Sequence, residues 1–164
     1  ARKYLDGCGR FLIHNVDIIS DLDIRWMASQ TRRDAMATLL VSDRVTSRYL
    51  LFDPDTMRLK GWTNVVTGEV RSPYPDLDVT QCRRLAFSGI HIMSDTVFAA
   101  LEDFVSRQGL DPEHPRFPIM DFYLSACALY EIYGVEADGL HLVDVGKLDT
   151  LEIAEKEISR VSQN

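Results

Sequence analysis

The stretch FLIHNVDIISDLD, residues 11–23, decides the fold. Its first six residues are mostly apolar and predict a strand buried in a sheet. Acidic side chains follow at once. A carboxylate at the end of a buried strand is costly unless a cation lies nearby, so Asp17 is the first candidate for a functional residue. Ser20 or Asp21 is expected to cap a helix that ends near Arg33.

Outside this stretch, apolar runs and turn residues alternate along the chain. Pro54 and Asp55 separate two short apolar runs, which predicts a β-hairpin. Gly89 interrupts another strand-like run, and Gly134 is expected to end a long helix. Strands are predicted at residues 11–16, 37–41, 49–52, 57–62, 85–93 and 140–145, a loop at 67–81, and helices from Ser94-Asp95 onward, at 119–133 and near the C-terminus at 150–161.

Strands that alternate with helices of this length predict an α/β fold. The expected architecture is a three-layer α/β/α sandwich around a mainly parallel, Rossmann-like sheet with one antiparallel hairpin inserted. A chain of 164 residues, 46% of them hydrophobic, is long enough for a single domain (residues 1–164) with one sizeable core. The first residues resemble the last turns of a helix, so we expect the domain to be incomplete at its N-terminus.

Composition argues against several partners. A net charge of -7 would repel a phosphate backbone, so nucleic acid is not expected to bind. No apolar run reaches the length of a membrane span, and the first residues lack the features of a signal peptide. The odd number of widely spaced cysteines fits free thiols in a reducing compartment, which predicts a cytoplasmic protein. The sequence leaves a homo-oligomer open.

Two predicted strands end in an acid, Asp17 and Asp144. Because ligands of open α/β sheets bind beyond the carboxyl ends of strands, both carboxylates are expected to face one crevice. Two carboxylates at one site repel each other unless a divalent cation holds them, and oxygen ligands favour Mg²⁺ or Mn²⁺ with a phosphate-bearing substrate. The alternative is that each Asp is a helix cap or a turn former.

Histidine and cysteine offer no comparable site. The sequence contains no convincing Ser-His or Cys-His arrangement for nucleophilic catalysis. His14 and His91 alternate with apolar neighbours, so we predict that both are core histidines rather than ligands.

Four ordered segments resemble one enzyme family. They are NVDIISDLD (15–23), FSGIHIMSDTVF (87–98), FPIMDFYL (117–124) and HLVDVGKLDTLEIAE (141–155). Each is similar to a segment of the sugar-1-phosphate nucleotidylyltransferases, and the similarity is greatest to the short enzymes of the muramate, mannose or heptose 1-phosphate type. The resemblance implies a transferase of nucleotide-sugar biosynthesis that joins a sugar 1-phosphate to a nucleoside triphosphate, giving an NDP-sugar and pyrophosphate.

The resemblance also implies roles for individual residues. Asp17 and Asp144 stand where the family keeps its catalytic Mg²⁺ ligands. Ser88 and Gly89 stand on the strand that lines the sugar pocket, where a residue without a side chain lets the substrate approach the backbone. Asn15 precedes the first metal ligand, as in the family, and is expected to contribute to substrate binding.

The sequence departs from the family in four places, three of which are local. Val16 replaces a glycine, and Lys147 replaces a threonine. No E-K-P segment is present, and a hairpin carrying Arg44, Arg48 and Lys60 occupies that region instead. Either arginine could meet a phosphate, although solvated or structural roles are more common for surface arginines.

The largest departure concerns the triphosphate. The family holds it with a glycine-rich loop of the type G-x-G-T-R-x-x-P, and this sequence contains no such stretch. We therefore expect the chain to represent the C-terminal two-thirds of such an enzyme, carrying the metal and sugar side of the site and inactive by itself.

Two other functions are compatible with the sequence. A metal-dependent glycosyltransferase would use Asp21-Leu22-Asp23 as a D-x-D metal motif, which requires both acids on a loop at the sheet edge rather than in a helix cap. A non-catalytic module that binds or senses sugar phosphate would keep the sugar pocket and lack nucleotide binding.

Overall fold

The structure is a computed structural model that describes residues 2–145. The predicted C-terminal helix, residues 150–161, lies outside the described residues. Strands occupy β1 Arg10–His14, β2 Ile18–Ser20, β3 Ala37–Ser42, β4 Arg48–Phe52, β5 Leu59–Asn64, β6 Glu69–Arg71, β7 Arg83–Ser94, β8 Ile132–Glu136 and β9 Leu142–Asp144. Helices occupy α1 Arg2–Leu5, α2 Ile24–Gln30, α3 Val97–Arg107 and α4 Ile119–Ala126, with one 3-10 turn at Val79–Gln81.

A seven-stranded mixed sheet forms the centre of the molecule. Its strand order is β6-β5-β4-β7-β3-β8, and β1 pairs with the end of β7. The long strand β7 is antiparallel to β1, β3 and β4, whereas β3 and β8 are parallel. The α/β class is confirmed, but the described part of the sheet has fewer parallel pairs than the sequence predicted, because one long strand runs against three neighbours.

Helices cover both faces of this sheet. Leu39 and Val41 of β3 belong to a core cluster that includes residues of α3 and α4. Leu40 faces the other way and packs with Met27 of α2 and Ile90 of β7. The predicted strand at residues 37–41 is therefore buried on both faces, and the three-layer arrangement is confirmed.

The predicted long helix at residues 119–133 is wrong in its second half. The helix ends at Ala126, and Ile132–Glu136 forms the edge strand β8 beside β3. Gly134 does not end a helix: a side chain there would meet the ring of Phe52, with the nearest ring carbon 2.9 Å from the Cβ position. The glycine lets β8 pack closely against the ring of Phe52, a long-range requirement that local periodicity does not reveal.

The predicted helix start at Ser20 or Asp21 is also wrong. Ser20 belongs to β2, and the N-cap of α2 is Asp23, whose carboxylate accepts hydrogen bonds from the backbone N–H groups of Arg25 (2.8 Å) and Trp26 (3.1 Å). Similarly, the first strand ends at His14, two residues earlier than predicted.

The hairpin is confirmed, since β4 and β5 pair antiparallel across the Pro54-Asp55 turn. The region predicted as a loop at residues 67–81 contributes one short additional strand, β6, to the edge of the sheet. No helix among the described residues is long and apolar enough to cross a membrane.

Candidate functional site

A two-stranded ribbon brings Asp17 and Asp144 together. The carbonyl of Asn15 accepts a hydrogen bond from the N–H of Ile18 at 3.3 Å, so residues 15–18 form a tight turn with Asp17 at its tip. The chain then enters β2, which pairs antiparallel with β9 so that Ile18 lies opposite Asp144. The N–H of Val145 donates to the carbonyl of Asp17 at 2.8 Å. The two acids are therefore diagonal neighbours across the ribbon.

This geometry differs from the one that the sequence suggested. Asp17 follows a strand of the central sheet, but Asp144 ends a strand of the separate ribbon. Ile18 and Leu142 pack against the cluster around Met27, which fixes the ribbon on the α2 face of the sheet. Asp17 and Asp144 are both exposed. The structure fixes the closeness of the two backbones, and strand alternation does not constrain the Asp17 side chain because it belongs to the turn.

Asn15 and Gly89 are also in contact. The N–H of Asn15 donates to the carbonyl of Gly89 at 3.0 Å. Gly89 has a positive φ of 77° and lies in a bulge of β7, where a step of two residues along β3 (Leu39 to Val41) matches a step of four along β7 (His91 to Phe87). The space that a side chain at Gly89 would fill is occupied by the amide of Asn15, whose Nδ2 is 2.8 Å from the Cβ position.

Ser88 is placed in the same bulge but is not open to solvent. Its residue is 2% exposed, and its hydroxyl has no hydrogen-bond partner among the described residues. A buried hydroxyl without a partner is uncommon in folded proteins. Asn15, in contrast, is exposed. Of the three residues expected to bind substrate, Asn15 is thus the exposed one, whereas Ser88 and Gly89 are buried.

The donor set at the ribbon suits a magnesium ion that completes its shell with other oxygens. Within residues 2–145 there is no group of three or more His, Cys, Asp or Glu side chains that could hold a metal. Mg²⁺ commonly binds through one or two carboxylates together with water and phosphate oxygens, rather than in a cage made only of protein. Two exposed acidic residues with adjacent backbones, Asp17 in the turn and Asp144 at the end of β9, fit that mode of binding.

The D-x-D acids have structural tasks. Asp23 caps α2, as described above. The carboxylate of Asp21 accepts a hydrogen bond from the N–H of His141 at 2.9 Å, and the N–H of Asp21 donates to the carbonyl of His141 at 3.3 Å. Both acids line a cleft of about 370 Å³ beside Trp26. Asp21 and Asp23 lie in the loop between β2 and α2, but the carboxylate of Asp23 is engaged as a helix cap and that of Asp21 accepts the N–H of His141.

The two histidines that were expected to be buried differ. His14 is exposed, and its Nδ1 lies 2.7 Å from the carbonyl oxygen of Asn15, so the prediction of a core histidine is wrong there. His91 is 3% exposed, and its Nδ1 is hydrogen-bonded to the hydroxyl of Tyr123 at 2.8 Å. Burial lowers the pKa of His91 to about 4 and raises that of Tyr123 well above its ordinary value. Both groups are therefore neutral at pH 7.

Replacing Gly89 with alanine is expected to destabilise the protein by about 2–3 kcal/mol. About 1 kcal/mol comes from the positive φ, and the rest from the contact with Asn15. Gly68 is the matched control: its φ is 74°, but no atom lies within 4 Å of its Cβ position, so Gly68→Ala should cost about 1 kcal/mol. Urea denaturation measures both. Equal losses for the two variants would show that the Asn15 contact carries no energy.

The mixed sheet with helices on both faces defines an α/β fold of three layers. A solved structure that shares this fold is the inositol-1-phosphate CTP transferase from T. maritima, with a TM-score of 0.63 and 11% sequence identity. The alignment covers 95% of this chain and 57% of the T. maritima chain, so the present chain spans little more than half of that protein. No family model matches the sequence, and no curated protein matches it significantly.

Proposed function

We propose that this chain is the metal-binding and sugar-binding part of a sugar-1-phosphate nucleotidylyltransferase, which joins a sugar 1-phosphate to a nucleoside triphosphate and releases pyrophosphate. The observation that carries the proposal is the ribbon pairing of Ile18 with Asp144, which brings the turn that carries Asp17 beside Asp144 and close to the Asn15–Gly89 contact. The likeness in fold to the T. maritima CTP transferase supports the same reaction class.

In the proposed reaction an oxygen of the sugar 1-phosphate attacks the α-phosphorus of the triphosphate, and pyrophosphate leaves. Asp17 and Asp144 would hold Mg²⁺, which when bound neutralises charge on the phosphate oxygens. The side-chain amide of Asn15, held against Gly89, would accept hydrogen bonds from sugar hydroxyls through its oxygen and donate hydrogen bonds to them through its nitrogen. No protein nucleophile is needed, because the substrate supplies its own. The contribution of the chain is to position the two reactants.

The test is a binding and turnover assay on the 164-residue chain. Isothermal titration with a panel of sugar 1-phosphates, with myo-inositol 1-phosphate included, should show binding that unphosphorylated sugars do not show. Titration with CTP, UTP, GTP and ATP, together with measurement of pyrophosphate release, then separates the alternatives. Turnover identifies a complete enzyme. Binding of sugar phosphate without turnover fits either a part of the enzyme or a binding module. Failure of every sugar 1-phosphate to bind, with Mg²⁺ present, would contradict the proposal.

A further inference from the structure

Arg44 lies next to the bulge that carries Ser88 and Gly89. It belongs to the loop between β3 and β4, and its Nη2 donates a hydrogen bond to the carbonyl oxygen of Phe87 at 3.0 Å. Phe87 precedes Gly89 by two residues, and Gly89 in turn accepts the N–H of Asn15. Two residues of a strand span about 7 Å. The contact of Arg44 with Phe87 and the contact of Asn15 with Gly89 are therefore separated by about the length of one monosaccharide.

The loop that carries Arg44 is tied down on both sides. The N–H of Thr46 donates to the hydroxyl of Tyr49 at 3.0 Å, and the N–H of Val65 donates to the carbonyl of Ser47 at 2.9 Å. On the other side, Ser42 pairs with Ala86 at the end of β3. A guanidinium group held by such a loop is preorganised, which lowers the entropic cost of binding a ligand.

The charge of Arg44 is not compensated within residues 2–145. Five other arginines form ion pairs with carboxylates, namely Arg2, Arg58, Arg71, Arg83 and Arg107. Arg44 instead contacts a neutral carbonyl and remains exposed. The hydrogen bond to Phe87 uses one of five N–H donors, and the remaining donors match the geometry of a phosphate. In a chain of net charge -7, such a group is suited to an anionic ligand.

We infer that Arg44 binds the phosphate group of the sugar 1-phosphate, an assignment that rests on the proposed function. Arg44 and Asn15 both contact this bulge, so a sugar 1-phosphate bound against it can meet Arg44 with its phosphate and Asn15 with a hydroxyl group. Arg44 is then a specificity residue: it selects phosphorylated sugars over free sugars, while the carboxylates of Asp17 and Asp144 act through the metal.

The test compares Arg44→Gln with Arg33→Gln. Arg33 is exposed and lies just before β3, at the opposite end of that strand, so its replacement changes the net charge by the same amount away from the site. Both variants are titrated with myo-inositol 1-phosphate, glucose 1-phosphate and inorganic phosphate in the presence of EDTA, so that the readout does not depend on a metal. Circular dichroism and thermal denaturation establish that each variant is folded.

Arg44→Gln is expected to weaken binding of the sugar 1-phosphates about 10- to 100-fold, the usual effect of removing a charged hydrogen bond, while Arg33→Gln binds like wild type. Arg44→Lys keeps the charge without the planar fork and should fall between the two. Equal binding by wild type and a folded Arg44→Gln would overturn the assignment and leave the proposed function intact. If sugar 1-phosphates fail to bind wild type even with Mg²⁺, both fall.

Discussion

Asp17→Asn, introduced into the complete enzyme of which this chain is proposed to be a part, is expected to lower Mg²⁺-dependent pyrophosphate release by about 100-fold or more, equivalent to about 3 kcal/mol of transition-state stabilisation. The amide has nearly the shape of the carboxylate but lacks its charge, so one of two ionic ligands is lost. Asp144→Asn should have an effect of the same order, because Asp144 is proposed as the second ligand of the same ion. Asp76→Asn, an exposed acid in the loop after β6, serves as the control.

A second readout removes the dependence on turnover. Mn²⁺ broadens NMR signals of nearby nuclei, so a substoichiometric titration should broaden the amide signals of residues 15–18 and 142–145 first. Asp17→Asn should weaken Mn²⁺ binding about 10- to 100-fold, whereas Asp76→Asn should leave it unchanged. If broadening begins at the cleft beside Trp26 instead, with Asp21 and Asp23, the metal site belongs to the D-x-D pair and the present assignment is incorrect.

The pairing that brings Asp17 and Asp144 together could not be deduced from local sequence. Residues 18–20 are only a three-residue strand, and their partner β9 lies more than 120 residues further along the chain. The sequence prediction placed both acids at the edge of one parallel sheet. In the structure, a tight turn followed by an antiparallel ribbon brings the backbones of the two acids close together. Acidic strand ends are visible in a sequence, but the partner of a short strand depends on the whole fold.

Other parts of the fold were accessible because their signals are local. Residues 37–41 are continuously apolar, which is typical of a strand covered on both faces. The hairpin of β4 and β5 was predicted from turn chemistry at Pro54-Asp55. The α4–β8 region was misassigned because Leu129 to Tyr133 continues an apolar pattern compatible with a helix. Only the parallel pairing of Ile132 with Ala37 selects the strand.

The candidate site residues show the same division. Asp17, Asn15 and Gly89 were proposed from sequence segments, and the structure adds why a glycine suits position 89: a positive φ and the contact with Asn15. Arg44 was one of two arginines, with Arg48, that the sequence offered as candidates to meet a phosphate. Its hydrogen bond to Phe87 depends on pairing between distant segments, so no spacing rule distinguishes it from the others. Likewise, alternation alone could not separate exposed His14 from buried His91.

The burial of His91 predicts a loss of stability in mild acid. Its pKa is lowered to about 4 in the folded protein, whereas the unfolded chain keeps the ordinary value of 6.5. Between these two values the unfolded state takes up a proton that the folded state does not. The free energy of unfolding therefore falls as the pH decreases from 6.5 to 4, by about 1.4 kcal/mol per pH unit and about 3 kcal/mol in all. Above pH 6.5 this residue adds no pH dependence.

Urea denaturation at several pH values between 7.5 and 4 measures this effect. His91→Gln keeps a side chain that can accept a hydrogen bond from Tyr123 but cannot titrate, so its free energy of unfolding should change much less over the same range. His14→Gln removes an exposed histidine and should retain the wild-type slope. The carboxylates whose pKa is lowered, Asp53 and Asp78, lose their contribution below pH 3.8, outside this window. A His91→Gln slope equal to that of wild type would mean that the folded protein accepts the proton on His91 without cost, which requires the Tyr123 contact and the packing against Phe87 to open before unfolding.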